Sequence, residues 1–497
     1  MCGIVAQHGG GSAAELERML ERLHHRGPDD SGSVALDHGW LGHTRLSIVD
    51  LDGGRQPLET AAGGVYLVGN GEVYNHADVR DEAGVEFLTR SDNEVALHLI
   101  GDEGPAALAR LNGMFAFVMA AEDGRFVAAR DPVGIKPLYW SRKNGETRFA
   151  SEMHAFAPEW QPEVEPFPPG FSWTPEGGLE RFASAVPAQL SAPARADVVA
   201  GTREVLVRAV ERQMMGDVDV GVFLSGGLDS SLVAAIAAPW CERHGTQLHT
   251  FAVGTPDSPD LAAARQVAEF LSTDHREFTY TAEEALEALP EVVRSIESFD
   301  PGLVRSAVPN FMLARRTAEH VKVVLTGEGA DELFAGYAYM SEITEPGDLH
   351  AELERTVRGL HNLNLQRCDR VTMAHGLEAR VPFLDLEVIR WALSLPADQK
   401  ITGPGRLEKT LLREAFDGWL PDDLLWRVKA EFGDGSGARD VLTAAVEQTV
   451  SEADFEGERH AVDPPVRTRE ELAYYRVWRK HLAHVSPERT LSRFARA

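Results

Sequence analysis

Residues 220–231 read VGVFLSGGLDSS. The stretch combines an apolar run typical of a buried strand, a Ser-Gly-Gly turn, and the start of an apolar helix. In an open α/β sheet, ligands bind where a strand ends and the next helix directs its N-terminus at the site. We therefore expect the backbone N–H groups of Ser225, Gly226 and Gly227 to surround a phosphate group. The lysine of the common P-loop is absent, and Asp229 follows the turn instead.

The position of Asp229 predicts a cation at this loop. A carboxylate beside a phosphate is repelled unless a cation lies between them, and Mg²⁺ suits oxygen ligands of this kind. A second strand-like run, VVLTGEGADELFAGY at residues 323–337, also ends in a glycine-rich loop and carries Asp331. If both strands belong to one sheet, Asp229 and Asp331 face the same Mg²⁺–pyrophosphate. We predict that ATP binds here and is cleaved between its α- and β-phosphates, giving an adenylate.

The C-terminal part of the chain has the pattern of an α/β domain. After about residue 196, strand-like runs at 220–224, 247–253 and 321–327 alternate with amphipathic helices. Such alternation predicts a parallel sheet with helices on both faces. Beyond Leu349 the pattern is nearly all helical, which predicts a helical C-terminal part.

The N-terminal part has a different pattern. Short strand-like runs dominate, as in residues 40–50, 65–75 and 114–131, and Asn70-Gly71 and Asp123-Gly124 predict turns. This predicts an α+β domain built as an antiparallel sandwich.

A proline-rich stretch over residues 157–195 predicts a link or a connection along an edge. We therefore predict two domains, at residues 1–185 and 196–497.

Composition excludes several classes of protein. The chain has 77 acidic against 49 basic residues and a net charge of −28, which argues against binding to nucleic acid or an anionic membrane. It contains neither the roughly 20 apolar residues of a membrane span nor a secretory signal. The three cysteines, Cys2, Cys241 and Cys368, form no CxxC pattern, so we expect neither disulfides nor structural zinc. The histidines, among them His24 and His25, are assigned to packing or surface positions. A cytoplasmic protein with small-molecule partners is expected.

The motifs resemble a known family. SGGLDSS resembles the pyrophosphate-binding signature of the ATP-pyrophosphatase family, and GEGADELFAGY is similar to its partner in the asparagine synthetase B branch. The resemblance continues in order along nearly the whole chain, in MCGI, HRGPD, RLSIVD, NGEVYNH, GMFAF, ASEM, TFAVGTPDSPDL, EARVPFLD and WRVKAEFGDG. It implies a glutaminase domain of the N-terminal nucleophile type and an ATP-dependent synthetase domain. It further implies a ligase that amidates aspartate through aspartyl-AMP with ammonia from glutamine, and it allows a homodimer.

Cys2 becomes the N-terminal residue when the initiator methionine is removed. An N-terminal nucleophile carries its own base, because the α-amine has a pKa near ~8 and accepts the thiol proton directly or through water. Cys2 resembles the catalytic thiol of the class II glutamine amidotransferases. Asn70 and Gly71 offer side-chain and backbone N–H donors for an oxyanion hole.

The glutamine substrate needs partners for both of its charged groups. Arg45 suits the α-carboxylate through its bidentate fork, and Glu72 and Asp92 suit the α-ammonium. By resemblance, one wall of the glutamine pocket consists of Arg45, Leu46, Ser47, Ile48 and Val49.

The resemblance also assigns residues in the synthetase domain. The expected ATP-binding residues are Leu224, Ser225, Gly226, Gly227, Asp229, Ser230, Val253, Thr326 and Gly327. Glu328 is the expected base that assists ammonia, and Lys429 is expected to stabilise charge on the phosphates. Arg305 and Arg380 are expected at the acceptor substrate, although Arg380 equally suits a structural ion pair.

One segment departs from the family pattern. Where asparagine synthetases have a Thr-Thr pair, this chain has Pro301, Gly302 and Leu303, while Arg305 is kept. If this segment is a turn beside the acceptor pocket, the lost hydroxyl groups weaken the hold on aspartate or admit another acid. A neutral change in a loop is the other interpretation.

Three alternatives to aspartate amidation follow. The same chemistry could amidate another small carboxylic acid. A cyclising ligase of the β-lactam synthetase type is disfavoured by the retained Cys2, Asn70 and Asp92. A catalytically silent nucleotide sensor is disfavoured by the complete set of polar residues in the synthetase loops, namely Asp229, Glu328, Asp331 and Lys429.

Overall fold

The structure is a computed structural model that describes residues 2–190, 194–401, 407–427 and 439–494. Its strands are β1 Cys2–His8, β2 Asp30–Leu36, β3 Gly39–Arg45, β4 Leu58–Glu59, β5 Val65–Val73, β6 Gly113–Ala121, β7 Phe126–Arg130, β8 Tyr139–Lys143, β9 Glu146–Ala150, β10 Glu165–Pro166, β11 Phe171–Thr174, β12 Gly178–Arg181, β13 Val220–Phe223, β14 His249–Gly254, β15 Asp274–Thr279, β16 Val323–Leu325 and β17 Glu378–Arg380.

The helices up to residue 373 are α1 Ala13–Glu21, α2 His76–Ala83, α3 Glu94–His98, α4 Arg195–Arg212, α5 Leu228–Arg243, α6 Pro259–Leu271, α7 Ala282–Ile296, α8 Pro301–Thr317, α9 Ala330–Phe334, α10 Pro346–Gly359 and α11 Asn364–Met373. The remaining helices are α12 Leu386–Ser394, α13 Thr410–Ala415, α14 Asp422–Leu425, α15 Arg439–Glu447, α16 Glu452–Glu458, α17 Arg469–His481 and α18 Pro487–Thr490.

The N-terminal part consists of two six-stranded sheets, with strand orders β10-β8-β9-β1-β3-β2 and β12-β11-β7-β6-β5-β4. All of their strand pairs are antiparallel. Inward-facing apolar residues of both sheets, including Ile4, Leu41, Val68 and Val118, form one buried cluster between them. The predicted antiparallel sandwich is confirmed, and alternation of side chains along each strand explains how both layers share this core.

The C-terminal part is built on a five-stranded sheet of order β15-β14-β13-β16-β17. All of its pairings are parallel, as predicted. Two strands were not predicted from the sequence. The edge strand β15 has the polar sequence DHREFT, and β17 is only three residues long within a helical region, so neither gives an apolar strand signal.

The prediction of a turn at Asn70-Gly71 is wrong. Both residues lie inside β5, where Asn70 pairs with Ala116 and Gly71 with Phe115 of β6. Gly71 has a φ of +146°, and a Cβ there would collide with the carbonyl oxygen of Met114. Glycine is therefore required by close approach of a neighbouring strand rather than by a turn.

Other local predictions fare differently. The Asp123-Gly124 turn is confirmed, since it joins β6 to β7 with Gly124 at a φ of +94°. Of the strand-like run at residues 40–50, only the part up to Arg45 belongs to a strand, β3. The proline-rich stretch contributes the edge strand β10, whose Pro166 suits an edge because it lacks a backbone N–H. The antiparallel part ends at Arg181 and α4 begins at Arg195, while the domain limits 1–185 and 196–497 stay predictions.

A buried group of charges joins the two parts, and we call Arg26, Glu152, Glu297, Asp369 and Arg370 the junction cluster. Arg26 Nη1 lies 2.5 Å from Glu152 Oε1 and 2.9 Å from Asp369 Oδ2. Arg370 lies 3.2 Å from the same Glu152 oxygen and 3.3 Å from Glu297 Oε2. All five side chains are at most 4% exposed, so each charge depends on its partners for compensation.

No α-helix within the described ranges is both long and apolar enough to cross a membrane.

Lys400 is the basis of a prediction about stability. Its ammonium is buried without a hydrogen-bond partner among residues that the structure describes, and burial lowers its pKa to about 7. Because the unfolded-state pKa is about 10.4, the unfolded chain binds more protons between these values, and folding is less favourable at pH 7 than at pH 9.

Replacing Lys400 with methionine should remove this penalty. We expect Lys400→Met to raise the thermal midpoint at pH 7 by roughly 1–2 °C or more, from a gain of about 1 kcal/mol or more. Thermal unfolding at pH 7 and pH 9 should show that the gain shrinks at the higher pH. An unchanged or lower midpoint of the variant at pH 7 would contradict the assignment.

Candidate active sites

The first site surrounds Cys2 at the start of β1. The backbone N–H of Cys2 donates to Asn70 Oδ1 over 3.0 Å, and this bond fixes the orientation of the Asn70 amide. The Asn70 Nδ2 group is buried and has no hydrogen-bond partner among the described residues. A buried donor without a partner is unusual unless a ligand completes it, and a donor beside a thiol is the arrangement of an oxyanion hole. Burial raises the pKa of the Cys2 thiol.

Two buried carboxylates lie near this site. Glu72 Oε2 has no hydrogen-bond partner within the described residues, and Arg380 Nη2 lies 3.6 Å from it. Burial, together with the charges of Glu378 and Asp92, raises the pKa of Glu72 well above its usual range. Burial also raises the pKa of Asp92, whose Oδ2 accepts the Val73 N–H over 2.6 Å. A cation bound beside Glu72 and Asp92 would relieve this repulsion, and an α-ammonium group is such a cation.

Arg45 has a role that the sequence did not indicate. Its guanidinium donates to the carbonyl groups of Val49, Asp50 and Leu51 over 3.2, 2.7 and 3.1 Å. Arg45 therefore fixes the backbone that follows β3, where the strand pairing has stopped. Direct binding of a substrate carboxylate by Arg45 stays a prediction.

The rest of the predicted glutamine wall follows Arg45 without strand pairing. Leu46 and Ile48 are buried, and Val49 is partly buried against the core. The Ser47 N–H donates to Asp29 over 2.7 Å, and the Ile48 carbonyl accepts the N–H of Asp217 over 2.9 Å. Because Asp217 precedes β13, the wall touches the synthetase part of the chain.

The second site begins at the loop after β13. Gly226 has a φ of +73°, and a Cβ there would lie 2.6 Å from the backbone nitrogen of Ala264, so no other residue fits without a shift. The Ser225 N–H, which was expected to face an anion, instead donates to Ser230 Oγ over 3.1 Å. Arg427 Nη1 donates to the Gly226 carbonyl over 3.0 Å.

The two glycine loops meet, as predicted from their sequences. Strand β13 pairs directly with β16, so both loops leave the same edge of the sheet. A Cβ at Gly327 would lie 2.8 Å from Asp229 Cβ and 3.0 Å from the backbone nitrogen of Ser230. The contact requires glycine. Leu224 and Val253, expected at the adenine, are both buried at the ends of β13 and β14.

Lys409 is the residue that sequence reasoning missed. Its Nζ lies 2.5 Å from Asp229 Oδ2 and 2.7 Å from Asp331 Oδ1, the two carboxylates predicted to hold Mg²⁺. Burial opposes the charged form, but Asp229 and Asp331 outweigh it and raise the pKa of Lys409. The two carboxylate oxygens thus converge on one cation, and this donor set fits Mg²⁺. Lys409 lies 78 positions beyond Asp331 and outside every motif quoted from the sequence, so no local signal connects the two.

Glu328, the predicted base, forms a short ion pair with Arg367. Arg367 also donates to Ser306 Oγ over 2.9 Å. Arg305 lies on the same helix as Ser306, donates to the Pro301 carbonyl over 3.1 Å and lies 3.8 Å from Glu470. The predicted residue Lys429 lies outside the described residues.

Arg380 forms buried ion pairs, and its direct binding of the acceptor substrate stays a prediction. It is fully buried in β17, lies 2.6 Å from Glu378 Oε1 and donates to the Gln213 carbonyl over 2.7 Å. Its own carbonyl accepts the Thr326 N–H over 2.9 Å, and its Nη2 faces Glu72. Arg380 thus contacts the surroundings of both sites.

The interpretation of residues 301–303 as a turn is wrong. They form the first turn of α8, which Asp300 caps by accepting the Leu303 N–H over 3.1 Å. Pro301 and Leu303 are buried, and a Cβ on Gly302 would lie 2.8 Å from the ring of Phe494. Proline in the first turn of a capped helix is a common helix start, and packing on Phe494 accounts for the glycine.

The asparagine synthase family model matches residues 201–348 and 341–490, and the glutamine amidotransferase domain model matches residues 1–168. The chain belongs to the asparagine synthase family.

Curated relatives match over most of both lengths. The probable glutamine-hydrolysing asparagine synthetase of Schizosaccharomyces pombe is 38% identical over 96% of this chain and 92% of the relative. Asparagine synthetase 3 of Arabidopsis thaliana is 41% identical over 88% of this chain and 79% of the relative. Asparagine synthetase B of Escherichia coli is 38% identical over 93% of this chain and 86% of the relative.

Proposed function

We propose that this chain is a glutamine-hydrolysing asparagine synthetase. It converts L-aspartate, L-glutamine, ATP and water to L-asparagine, L-glutamate, AMP and pyrophosphate. The observation that carries the proposal is the presence, in one chain, of two features. One is a cysteine beside a buried amide nitrogen, Asn70 Nδ2, that has no hydrogen-bond partner among the described residues, and the other is a pair of carboxylates that converge at paired glycine loops. The names and coverage of the relatives agree with it.

The first half-reaction takes place at Cys2. Removal of the initiator methionine frees the α-amine, which accepts the thiol proton. The sulfur attacks the side-chain amide carbon of glutamine, and Asn70 Nδ2 and the Gly71 N–H stabilise the oxyanion. Ammonia leaves, and water hydrolyses the thioester to glutamate. Glu72 and Asp92 bind the α-ammonium, which is supported by the burial of both carboxyl groups close to Cys2.

The second half-reaction takes place at the paired loops. Asp229 and Asp331 would hold Mg²⁺, which offsets the negative charge of the pyrophosphate when bound. The β-carboxylate of aspartate attacks the α-phosphorus of ATP, and pyrophosphate leaves. Ammonia then attacks the acyl carbon of aspartyl-AMP, Glu328 accepts a proton from the nitrogen, and AMP leaves. Lys429 is assigned to stabilisation of the phosphate charge.

Ammonia formed at Cys2 is transferred between the domains in this proposal. The two sites are adjacent in the sense that Arg380 contacts both, through Glu72 on one side and Thr326 on the other.

L-Aspartate is the proposed acceptor. Because residues 301–303 begin a packed helix, they provide no specific reason to prefer another acid. A β-lactam-forming ligase and a silent nucleotide sensor gain no support from the site. The homodimer and the cytoplasmic location stay predictions.

The nucleophile has a direct test. Cys2→Ala should lower glutamine-dependent asparagine formation to below roughly one thousandth of the parental rate, because the attacking atom is lost. Ammonium-dependent synthesis should stay within about twofold, because that chemistry uses the other domain. Asparagine would be measured with each nitrogen source, and Cys241→Ala, another buried cysteine, is the matched control. Equal use of glutamine by Cys2→Ala and parent would exclude this nucleophile.

The paired carboxylates predict a second result. Asp229→Asn and Asp331→Asn should each lose aspartate-dependent exchange of labelled pyrophosphate into ATP by at least about 100-fold, while glutamine hydrolysis is retained. Asp274→Asn is the control, since Asp274 pairs with Arg276 in the edge strand β15. Parental exchange in both site variants would remove them from the nucleotide site.

The acceptor is tested by identifying the product. The parent enzyme with ATP, glutamine and aspartate should release AMP and form asparagine, identified by mass. A panel of other small amino and keto acids should release AMP at least about tenfold more slowly. If aspartate gave no AMP while another acid did, the asparagine assignment would fail and the amide-synthetase chemistry would stand.

A further inference from the structure

We propose that His25, Glu152 and His154 form a binding site for a divalent transition-metal ion, for which zinc fits best, with a water molecule as the fourth ligand. The site shares Glu152 with the junction cluster and has no role in the reaction described above. His25 follows α1, and Glu152 and His154 follow β9. Glu297, which follows α7 in the synthetase part, contacts His154, so the proposed ion would lie at the contact between the two parts of the chain.

The distances between ligand atoms carry the proposal. His25 Nε2 lies 3.1 Å from Glu152 Oε2, which lies 3.4 Å from His154 Nδ1. His154 Nδ1 lies 2.9 Å from Glu297 Oε1. The ligand atoms of His25, Glu152 and His154 all lie within 4.8 Å of one another. Tetrahedral zinc has bonds of about 2.0–2.1 Å to nitrogen and oxygen, which places its ligand atoms about 3.3 Å apart.

The histidines have the surroundings of metal ligands. His154 Nε2 lies 3.2 Å from the Arg22 carbonyl, a contact that places the ring proton on Nε2 and leaves Nδ1 for a metal. The two imidazole rings lie with centroids 5.7 Å apart. The His25 and His154 side chains are 33% and 28% exposed, so an ion has a route from solvent.

Glu152 is held through the oxygen that would not bind the metal. Its Oε1 accepts a hydrogen bond from Arg26 and forms an ion pair with Arg370, while Oε2 faces the histidines. Glu297 accepts the Met153 N–H at Oε2 over 2.9 Å and the His154 N–H at Oε1 over 2.7 Å, which fixes the segment that carries His154. The Glu152 ligand oxygen and the His154 backbone are thereby positioned before an ion arrives.

Nearby charges determine the affinity expected of the site for a metal ion. The arginines Arg26 and Arg370 offset part of the carboxylate charge, and Lys136 lies 3.9 Å from Asp369. The imidazoles must therefore supply much of the affinity, which favours a metal that prefers nitrogen, such as zinc, over Mg²⁺ or Ca²⁺. We expect micromolar rather than nanomolar affinity.

The experiment uses the untagged full chain after removal of metal with a chelator. Titration with Co²⁺, a spectroscopic substitute for zinc, should give one equivalent of visible absorption typical of tetrahedral coordination, and zinc should displace it. One equivalent of zinc should raise the thermal midpoint, while Mg²⁺ at the same concentration should not.

Variants distinguish metal binding at this site from metal binding at other histidines. His25→Gln combined with His154→Gln should abolish the Co²⁺ band and the zinc-dependent rise, with ammonium-dependent synthesis retained as evidence of folding. His24→Gln is the matched control, because His24 is the exposed neighbour of His25. The absence of a tetrahedral band in the parent, or an equal band in the double variant, would overturn the proposal.

Discussion

The junction cluster is the interaction on which the rest of the structure depends. Burying five charged side chains costs several kcal/mol for each ion unless every partner is present, so the cluster is favourable only when both parts of the chain are docked. Arg26 extends its effect to the first site, because its Nε donates to the Cys2 carbonyl over 3.0 Å. The position of the nucleophile is therefore tied to the contact between the domains.

The nucleotide end has its own electrostatic constraint. Asp229 and Asp331 leave adjacent strands and approach each other because Gly327 allows the loops to touch. Two carboxylates so close repel unless a cation joins them, and the Lys409 ammonium is that cation in the structure. Lys409 thus places a positive charge between the two carboxylates that the sequence assigned to Mg²⁺.

Much of the fold could be predicted because its signals are local. The apolar runs that became β13, β14 and β16 are buried strands followed by glycine, and the order of motifs identified both sites. The predictions failed where contacts between residues distant in sequence determine the structure. Asn70-Gly71 has the local signature of a turn, yet pairing with β6 holds it in a strand. Lys409 and Gln213 lie in none of the motifs quoted from the sequence, so only the fold brings them to Asp229 and Arg380. The start of α8 is a different case. Asp300 followed by Pro301 is a local signal for the start of a helix, but the segment was interpreted from the sequence as a turn.

The hydrogen bond between Cys2 and Asn70 has a consequence for maturation of the chain. The nitrogen that donates to Asn70 Oδ1 is a peptide nitrogen while the initiator methionine is attached, and an amine once it is cleaved. If the bond persists, it restricts rotation about the Cα–N bond, and the lone pair of the amine acquires a fixed direction. Asn70 would then govern two events at once, because its oxygen aims the base and its nitrogen receives the oxyanion. Proteolysis of one residue would convert a strand end into a catalytic centre with little rearrangement of the fold.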